Sequence, residues 1–315
     1  MRIAFAGTPD FAVPSLRALL EGPDSVVGVL TQPDRPAGRG RQARPSPVKQ
    51  AAQAAGVPVD QPESLKDAAS RATLAQWAPD LLVVAAYGLI LPRAVLELPR
   101  LGAINVHASL LPAYRGAAPI QRALLDGCSE TGITIMQMEP GLDTGPSLLQ
   151  RRLAIRERTT GGELHDALAE LGAEALVAAV AGLKAGTLTP DPQDPALATY
   201  AAKLDKAEAE LDWARPAAEL ERQVRAFNPW PVAFTQRDGQ PLRIWAAHIG
   251  EAQGAAAPGT LLAGEAPAVA CGDGRALVLD EVQPPGRKRM AGADAVRGGH
   301  LAPGEQLGRA PADSI

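Results

Sequence analysis

Apolar residues follow two alternating patterns along the first half of the chain. Short, mainly apolar runs, typical of strands buried inside a sheet, cover residues 2–6, 25–30, 57–59, 80–86 and 103–106, and residues 131–138 and 147–154 are expected to form further strands. Between them, apolar residues recur at helical spacing over residues 9–20, 49–55, 69–77 and 163–183. Because parallel strands need a crossover connection, this alternation predicts an open, mainly parallel α/β sheet of the Rossmann-like type.

The pattern changes in the second half of the chain. Residues 187–195 hold three prolines and two aspartates, which is typical of a linker. Beyond a helical stretch at 220–225, short strand-like runs separated by Gly/Pro turns cover residues 232–236, 242–248, 259–263, 268–271 and 276–282. These runs predict a small β-barrel similar to the oligonucleotide-binding (OB) fold. We therefore expect a first domain over residues 1–189, a linker over 190–206 and a barrel domain over 207–315.

Composition argues against several classes of protein. The two cysteines, Cys128 and Cys271, cannot form a disulfide framework, and no Cys/His spacing indicates zinc, so we expect no metal. No run reaches the roughly 18 apolar residues of a membrane span, and the N-terminal run is too short for a secretion signal. We expect a cytoplasmic protein that does not contact membranes, acts as a monomer and has no obligate protein partner.

Basic residues lie in three runs, although the formal net charge is −4. One run lies in residues 31–47, where Gly, Pro and Arg with few apolar residues predict a long exposed loop. The others are Arg287-Lys-Arg289 and the four arginines between residues 151 and 158. The net charge argues against a dedicated nucleic-acid binder, and a single basic run is more often a solvated surface. The clustering of the charges leaves contacts with phosphates open.

Asn105 and His107 stand at the end of the apolar run at 103–106. Since side chains alternate along a strand, both point to the same side. Ligands of open α/β sheets bind beyond the carboxyl ends of the strands. An amide and an imidazole at that edge can both donate hydrogen bonds to a carbonyl oxygen that gains negative charge. For this pair taken alone, a histidine satisfied within the core is the competing interpretation.

Asp143 lies between two glycines in the sequence Gly141-Leu-Asp-Thr-Gly145. Glycines on both sides permit a tight loop that presents one carboxylate to a cleft. A carboxylate beside an imidazole favours the charged form of the ring. The alternative is a turn aspartate that caps its own backbone.

Several longer motifs, in order along the chain, resemble the folate-dependent formyltransferase family. They are Asn105-Val-His107, Ser109-Leu-Leu-Pro112, Tyr114-Arg-Gly-Ala-Ala-Pro-Ile-Gln121, Thr131-Gly-Ile-Thr-Ile-Met-Gln-Met138 and Gly141-Leu-Asp-Thr-Gly145. The resemblance implies the formyltransferase fold and a catalytic trio of Asn105, His107 and Asp143. It also implies a site for the formyl donor, 10-formyltetrahydrofolate. That site would be formed by Ser109, Leu110, Leu111 and Pro112, with Tyr87, Gly88 and Leu89 beside the pterin.

Within this family, the chain resembles the members that act on methionyl-tRNA. The matching motifs are Phe5-Ala-Gly-Thr-Pro9, Thr31-Gln-Pro-Asp-Arg-Pro-Ala-Gly-Arg-Gly40 in the long loop, and Arg225-Ala-Phe-Asn-Pro-Trp-Pro231. This resemblance implies that the formyl acceptor is the α-amino group of initiator methionyl-tRNA. It assigns contacts with the tRNA to basic residues of the loop and the second domain: Arg35, Arg39, Arg41, Lys203, Lys206, Arg287, Lys288 and Arg289.

Two other reactions would use the same trio. One is formyl transfer to a small amine, which would not require the loop at 31–49 or the C-terminal barrel. The other is hydrolysis of 10-formyltetrahydrofolate, with water in place of the amine. A non-catalytic RNA-binding module is a different class, and it would have no reason to carry Asn105, His107 and Asp143 together.

Overall fold

The computed structural model of the chain describes residues 1–37, 42–252 and 256–308. The chain divides into two compact units. The first unit consists of Met1–Pro119, Glu130–Ala154 and His165–Ala201, and the second of Ile120–Ser129, Ile155–Leu164 and Ala202–Ile315. Arg39 and Arg41, which the sequence assigns to tRNA binding, lie outside the described residues.

The helices and strands predicted from periodicity are present, with bounds that differ by a few residues. The α-helices of the described chain are α1 (Val13–Glu21), α2 (Pro47–Ala54), α3 (Ala68–Trp77), α4 (Arg93–Leu96), α5 (Pro119–Leu125), α6 (Gly161–Ala185), α7 (Ala217–Ala226) and α8 (Gly292–Arg297). Its strands are β1 (Arg2–Gly7), β2 (Ser25–Leu30), β3 (Arg35–Ala37), β4 (Gln42–Arg44), β5 (Val59–Asp60), β6 (Leu81–Ala85), β7 (Ala103–His107), β8 (Arg115–Gly116), β9 (Glu130–Gln137), β10 (Ser147–Ala154), β11 (Tyr200–Ala201), β12 (Ala233–Arg237), β13 (Gln240–Ala252), β14 (Leu261–Leu262), β15 (Ala268–Ala270), β16 (Arg275–Gln283) and β17 (Met290–Ala291). The elements that the sequence did not predict, among them α4, α8 and β17, are too short to show a periodic pattern.

A seven-stranded sheet forms the centre of the first unit, in the order β10-β9-β7-β6-β1-β2-β5. The strands from β7 to β5 in this order are parallel, whereas β9 runs antiparallel to both of its neighbours, β7 and β10. Residues 3–6 of β1 have no exposed surface, as expected for a strand covered on both faces. The prediction of an open, mainly parallel sheet is confirmed. The carboxyl ends of β1, β6 and β7 meet at one edge of this sheet.

The loop predicted over residues 31–47 is closed at its base and carries a short hairpin. Strands β3 and β4 pair antiparallel. The hydroxyls of Thr31 and Ser46 lie 2.7 Å apart, and Lys49 Nζ lies 2.6 Å from Oδ2 of Asp34. The hydrogen bond from Lys49 holds the pKa of Asp34 below its ordinary value. The prediction of an exposed loop is wrong at this base, because Thr31 is fully buried.

An antiparallel sheet forms the centre of the second unit, in the order β12-β13-β16-β15-β14, with β17 paired to β16. All five predicted strands are present. Within the described residues the path ends at β12 and β14, so the sheet is a curled half-barrel and not a closed barrel. Leu220 and Val224 of α7 belong to the apolar core of this unit together with Trp213. The Trp213 indole donates a 2.9 Å hydrogen bond to the buried Thr235 hydroxyl.

The division between the units falls inside the linker predicted over residues 190–206. It lies after Ala201, and residues up to that point belong to the first unit. Asp191 bridges to Ser147, and β11 pairs with β8. Two earlier segments, Ile120–Ser129 and Ile155–Leu164, join the second unit. No boundary read along the chain could place them there, because they are separated in sequence from the rest of that unit.

Candidate active site

Asn105 and His107 occupy alternate positions of β7, between β6 and β9 in the interior of the sheet. Asn105 is 9% exposed and His107 is 5% exposed. Among the residues that the structure describes, none forms a hydrogen bond with the Asn105 side chain. A nearly covered amide costs free energy unless it is hydrogen-bonded. The Asn105 amide is therefore available to a bound ligand.

Each ring nitrogen of His107 faces an oxygen. Nε2 lies 3.0 Å from the backbone oxygen of Tyr114. Because a carbonyl oxygen only accepts hydrogen bonds, Nε2 carries a proton and donates it. Nδ1 lies 3.7 Å from Oδ2 of Asp143, which is longer than an N–H···O hydrogen bond. Nδ1 is therefore the nitrogen that a reacting group placed beside Asp143 can reach.

Asp143 lies in the loop between β9 and β10, with a φ of +53°. This left-handed conformation costs an L-residue about 1–2 kcal/mol, so contacts around the loop must hold it. One such contact is the 2.8 Å hydrogen bond from Gly116 N to Oδ2. A Cβ on Gly145 would lie 2.0 Å from the backbone oxygen of Gln137, which explains the glycine there. The loop thus presents the carboxylate to His107.

Gln193, which the sequence places in the linker, fastens the Asp143 loop. Its Nε2 donates hydrogen bonds to the backbone oxygens of Asp143, at 2.9 Å, and Gly145, at 2.6 Å. Its Oε1 accepts two hydrogen bonds from Arg115, at 3.0 Å from Nε and 2.7 Å from Nη2. Arg115 is only 5% exposed. Gln193 therefore connects a buried guanidinium to the loop that carries the carboxylate.

Residues 193–201, which we call the strap, also hold the backbone beside His107. Thr199 Oγ1 accepts a 2.8 Å hydrogen bond from Tyr114 N, and its backbone oxygen accepts one of 2.9 Å from Arg115 N. The segment 114–116 in turn provides the carbonyl that binds His107 and the amide that binds Asp143. Sequence reasoning missed the strap because a polar, proline-rich stretch has the composition of a linker.

The residues that the resemblance assigns to folate differ in what they expose. Ser109 is fully buried, and its hydroxyl donates a 2.6 Å hydrogen bond to the backbone oxygen of Ala113. Leu111 is also buried, whereas Leu110 and Pro112 are half-buried. Ser109 and Leu111 therefore shape this segment, and Leu110 and Pro112 retain side-chain surface that a ligand can contact.

Tyr87 packs into the apolar core of the first unit and is 2% exposed. Its backbone oxygen accepts hydrogen bonds from the Thr8 hydroxyl and from Gln32 Nε2, both at 3.0 Å. Its hydroxyl has no partner among the described residues. Burial raises the pKa of Tyr87 above its ordinary value. Gly88 is exposed and Leu89 is half-buried. Of the three residues assigned to the pterin, these two therefore offer surface to a ligand, whereas the Tyr87 side chain does not.

The basic residues assigned to tRNA are not equally available. Lys203, Lys206, Arg287 and Lys288 are exposed. Arg35 is exposed and donates a 2.9 Å hydrogen bond to Gln32 Oε1. Arg289 is engaged twice, because it forms an ion pair of 2.5 Å with Glu281 and lies 4.4 Å from the ring centre of Trp245. Arg289 is therefore the least free of these cations.

In the described parts of the chain, no group of three or more His, Cys, Asp or Glu side chains is arranged to hold a metal ion. No helix there is both long and apolar enough to cross a membrane.

The chain matches two family models in sequence. Residues 1–180 match the formyl transferase model, and residues 203–300 match the model of the formyl transferase C-terminal domain. The methionyl-tRNA formyltransferase of Stutzerimonas stutzeri is 56% identical over 313 residues, which cover 98% of this chain and 99% of the relative. That of Pseudomonas fluorescens strain SBW25 is 57% identical over 296 residues, which cover 93% of this chain and 92% of the relative.

A solved structure extends the comparison to the fold. The sugar 3N-formyl transferase WlaRD, determined in the presence of dTDP and 5-N-formyl-THF, has a TM-score of 0.66 at 16% identity. The match covers 91% of this chain and 99% of that one. At this identity the likeness concerns the fold alone. Both family models and the full-length relatives agree, and the chain belongs to the methionyl-tRNA formyltransferase family.

Proposed function

We propose that this protein transfers the formyl group of 10-formyltetrahydrofolate to the α-amino group of methionine on initiator methionyl-tRNA. The main support for this proposal is that Asn105, His107 and Asp143 lie together at the carboxyl edge of the sheet. They meet in a chain that is 56% identical, over 98% of its length, to a methionyl-tRNA formyltransferase. An amide, an imidazole and a carboxylate at one place are suited to acyl transfer.

The folate supplies a formyl carbon that is activated by its bond to N10. In the reaction, a bond forms between the amine nitrogen and the formyl carbon, and the bond from that carbon to N10 breaks. The amine loses one proton and N10 gains one. The protein must therefore stabilise negative charge on the formyl oxygen and guide a proton between two nitrogens.

The trio divides these tasks. The unpartnered Asn105 amide donates a hydrogen bond to the formyl oxygen as its charge develops. The Nε2 bond to the Tyr114 carbonyl fixes the His107 ring, which leaves Nδ1 facing the reacting group. Asp143 Oδ2 lies 3.7 Å from Nδ1, and together the two groups take the proton from the attacking amine, directly or through water, and pass it on to N10 of the folate.

The two segments assigned to the donor fit a flat ring system with polar edges. They follow β6 and β7, which are parallel neighbours, so both segments begin at the same sheet edge. Ile90 is 81% exposed and Leu89 and Leu110 are half-buried, which provides apolar surface. A pterin needs such surface for its faces and backbone groups for its edges. We infer that Gly88, Leu89, Leu110 and Pro112 contact the folate directly, and that Tyr87, Ser109 and Leu111 support them from within.

The basic residues assigned to tRNA are proposed to contact its backbone. They are Arg35, Arg39, Arg41, Lys203, Lys206, Arg287 and Lys288, with a smaller contribution from the engaged Arg289. Each phosphate contact that a substitution removes should flatten the log–log salt dependence of tRNA affinity by about 0.9 unit if the site behaves like duplex. Replacing Arg39 and Arg41 together by alanine should weaken tRNA binding and leave folate affinity unchanged.

An acceptor comparison tests the proposed reaction. Purified protein with 10-formyltetrahydrofolate is given initiator methionyl-tRNA, elongator methionyl-tRNA, small amines or water alone, and kcat/KM is measured for each. Initiator methionyl-tRNA should be the preferred acceptor. A higher kcat/KM with an amino sugar or another small amine would contradict the proposal, as would donor hydrolysis at an equal rate without any amine.

We also propose that the protein acts as a monomer in the cytoplasm. The trio and the segments assigned to folate all lie within the first unit of one chain, so no second copy is needed to complete them. Light scattering coupled to size exclusion should give the mass of one chain, with activity in the same fraction. Activity confined to a dimer fraction, or recovered with cell membranes, would contradict this.

A further inference from the structure

A cavity of about 800 Å³ lies within the second unit, and none of the residues assigned to tRNA lines it. It is formed by the end of α5 and the loop after it, residues 155–158, α7, and parts of β13 and β16. Five arginines line it, against two glutamates: Arg156, Arg158, Arg222, Arg225 and Arg275, with Glu157 and Glu221. The lining therefore carries an excess of positive charge in a chain whose formal net charge is −4.

Three of these arginines already have partners. Arg225 donates 2.6 Å and 3.0 Å hydrogen bonds to Glu221 and to the backbone oxygen of Thr159. Arg222 donates one of 3.0 Å to the backbone oxygen of Leu125. Arg158 lies 3.5 Å from Asp280. These arginines form the walls of the cavity.

Arg156 and Arg275 differ from the other three. Among the described residues, neither guanidinium has a hydrogen-bond or ion-pair partner, and both residues are exposed. Their backbones are nevertheless held. Arg156 N donates a 3.1 Å hydrogen bond to the Thr159 hydroxyl, and Arg275 N donates one of 3.2 Å to Asp273. Two unpaired guanidiniums on held backbone therefore line one cavity, and an anion bound there would be attracted by both charges.

The types of residue that line the cavity indicate which class of anion it can bind. A guanidinium fork matches the geometry of phosphate oxygens. The lining contains no Trp, Tyr or Phe, and its imidazole, that of His248, already lies 2.8 Å from Asp280, so the cavity lacks a large aromatic platform on which a base could stack. The cavity is therefore suited to the phosphates of a nucleic-acid backbone, which position a complex without reading its sequence.

We propose that this cavity is a phosphate-binding site of the second unit and that Arg156 and Arg275 contact the backbone of the tRNA there. The inference rests on the proposed function, since that function brings a tRNA to the protein. A free polyphosphate has the same chemistry, and the experiment distinguishes it from tRNA. Arg151 and Arg152, which belong to the same run in the sequence, lie in the first unit and do not line the cavity.

The test compares two double variants of the full chain that remove the same charge. R156A/R275A empties the cavity of its unpaired cations. R17A/R243A is the matched control, because both residues are exposed, lie outside the cavity and have no hydrogen-bond or ion-pair partner for the side chain in the described chain. Neither substitution removes a contact that stabilises the fold, so both proteins should keep the wild-type melting temperature.

The affinity for initiator methionyl-tRNA is measured by titration across a salt series, with folate affinity measured separately. R156A/R275A should lose about tenfold in tRNA affinity at low salt, and its log–log salt slope should flatten by about 1–2 units. The control should lose much less of either, and folate affinity should not change. Wild-type tRNA affinity and slope in R156A/R275A would overturn the proposal.

Inorganic pyrophosphate serves as the free-anion probe. It should compete with tRNA for the wild-type protein and compete less well for R156A/R275A. Pyrophosphate binding that depends on both arginines but leaves tRNA affinity untouched would overturn the tRNA assignment in favour of a small ligand. Failure of the wild-type protein to formylate methionyl-tRNA would instead refute the proposed function, so the two failures are distinguishable.

Discussion

Replacing Gln193 by leucine removes four hydrogen bonds from the back of the site without changing the trio. Two are the bonds to the backbone oxygens of Asp143 and Gly145, at 2.9 Å and 2.6 Å. The other two come from the buried Arg115 guanidinium. Neutral bonds contribute about 1 kcal/mol each and bonds from a charged donor about 1.5–3 kcal/mol. Because Gln193 is partly exposed and water can replace some of these bonds, we expect a loss of about 2–4 kcal/mol in unfolding free energy.

The substitution should also impair catalysis. Asp143 is held at a φ of +53°, and the bond to its own backbone oxygen is one of those lost. A loop released from this conformation moves the carboxylate away from His107 Nδ1, which already lies 3.7 Å from it. A misplacement of about 1 Å can cost about 100-fold in rate. Gln193→Leu should therefore lower kcat by roughly that factor while KM for folate changes little, because the folate segments are untouched.

Gln223 provides a matched control in the second unit. Its Nε2 donates to the backbone oxygens of Glu208 and Glu210, and its Oε1 accepts from Arg215. Gln223→Leu should lower the melting temperature to a similar extent and leave kcat close to wild type. Gln193→Glu keeps the acceptor for Arg115 but cannot donate to the Asp143 loop, so it should lose kcat as Gln193→Leu does. Equal kcat losses in the Gln193 and Gln223 variants, or none in either, would refute the positioning role.

Three further predictions concern the site. Alanine at Asn105, His107 or Asp143 should lower kcat/KM by about 100-fold or more, with the fold retained on circular dichroism. The double variants should lose far less than the product of the two single losses, because the residues act as one unit. Near-normal activity in any single variant would remove that residue from the trio. Tyr87→Phe removes a buried hydroxyl that has no partner in the described chain, so chemical denaturation should show stability unchanged or raised by about 1 kcal/mol. A marked loss of folate affinity in Tyr87→Phe would instead show that the hydroxyl binds the donor. Gly145→Ala places a Cβ 2.0 Å from the backbone oxygen of Gln137, so the loop must shift and kcat should fall at least tenfold. A wild-type kcat in this variant would show that the position of the Asp143 loop does not limit the reaction.

Local patterns in the sequence determined the secondary structure and the first two members of the site. The buried runs predicted β1, β6 and β7, because a strand covered on both faces is mainly apolar. Alternation along β7 placed Asn105 and His107 on one side, and the rule for parallel sheets placed them at the edge where ligands bind. The predictions of these strands held because each depends on residues that are close together in the chain.

Only the tertiary structure decided what surrounds these residues. Gln193 meets Asp143 across 50 positions and Arg115 across 78, and no local period records such a contact. The arginine run at 151–158 is a second example. The fold places Arg151 and Arg152 in the first unit, whereas Arg156 lines the cavity of the second. A hydrogen bond or an ion pair between distant segments depends on how the elements pack. The sequence therefore predicted which side chains could carry the chemistry, and the packing decided which of them are held in place and which are free to bind.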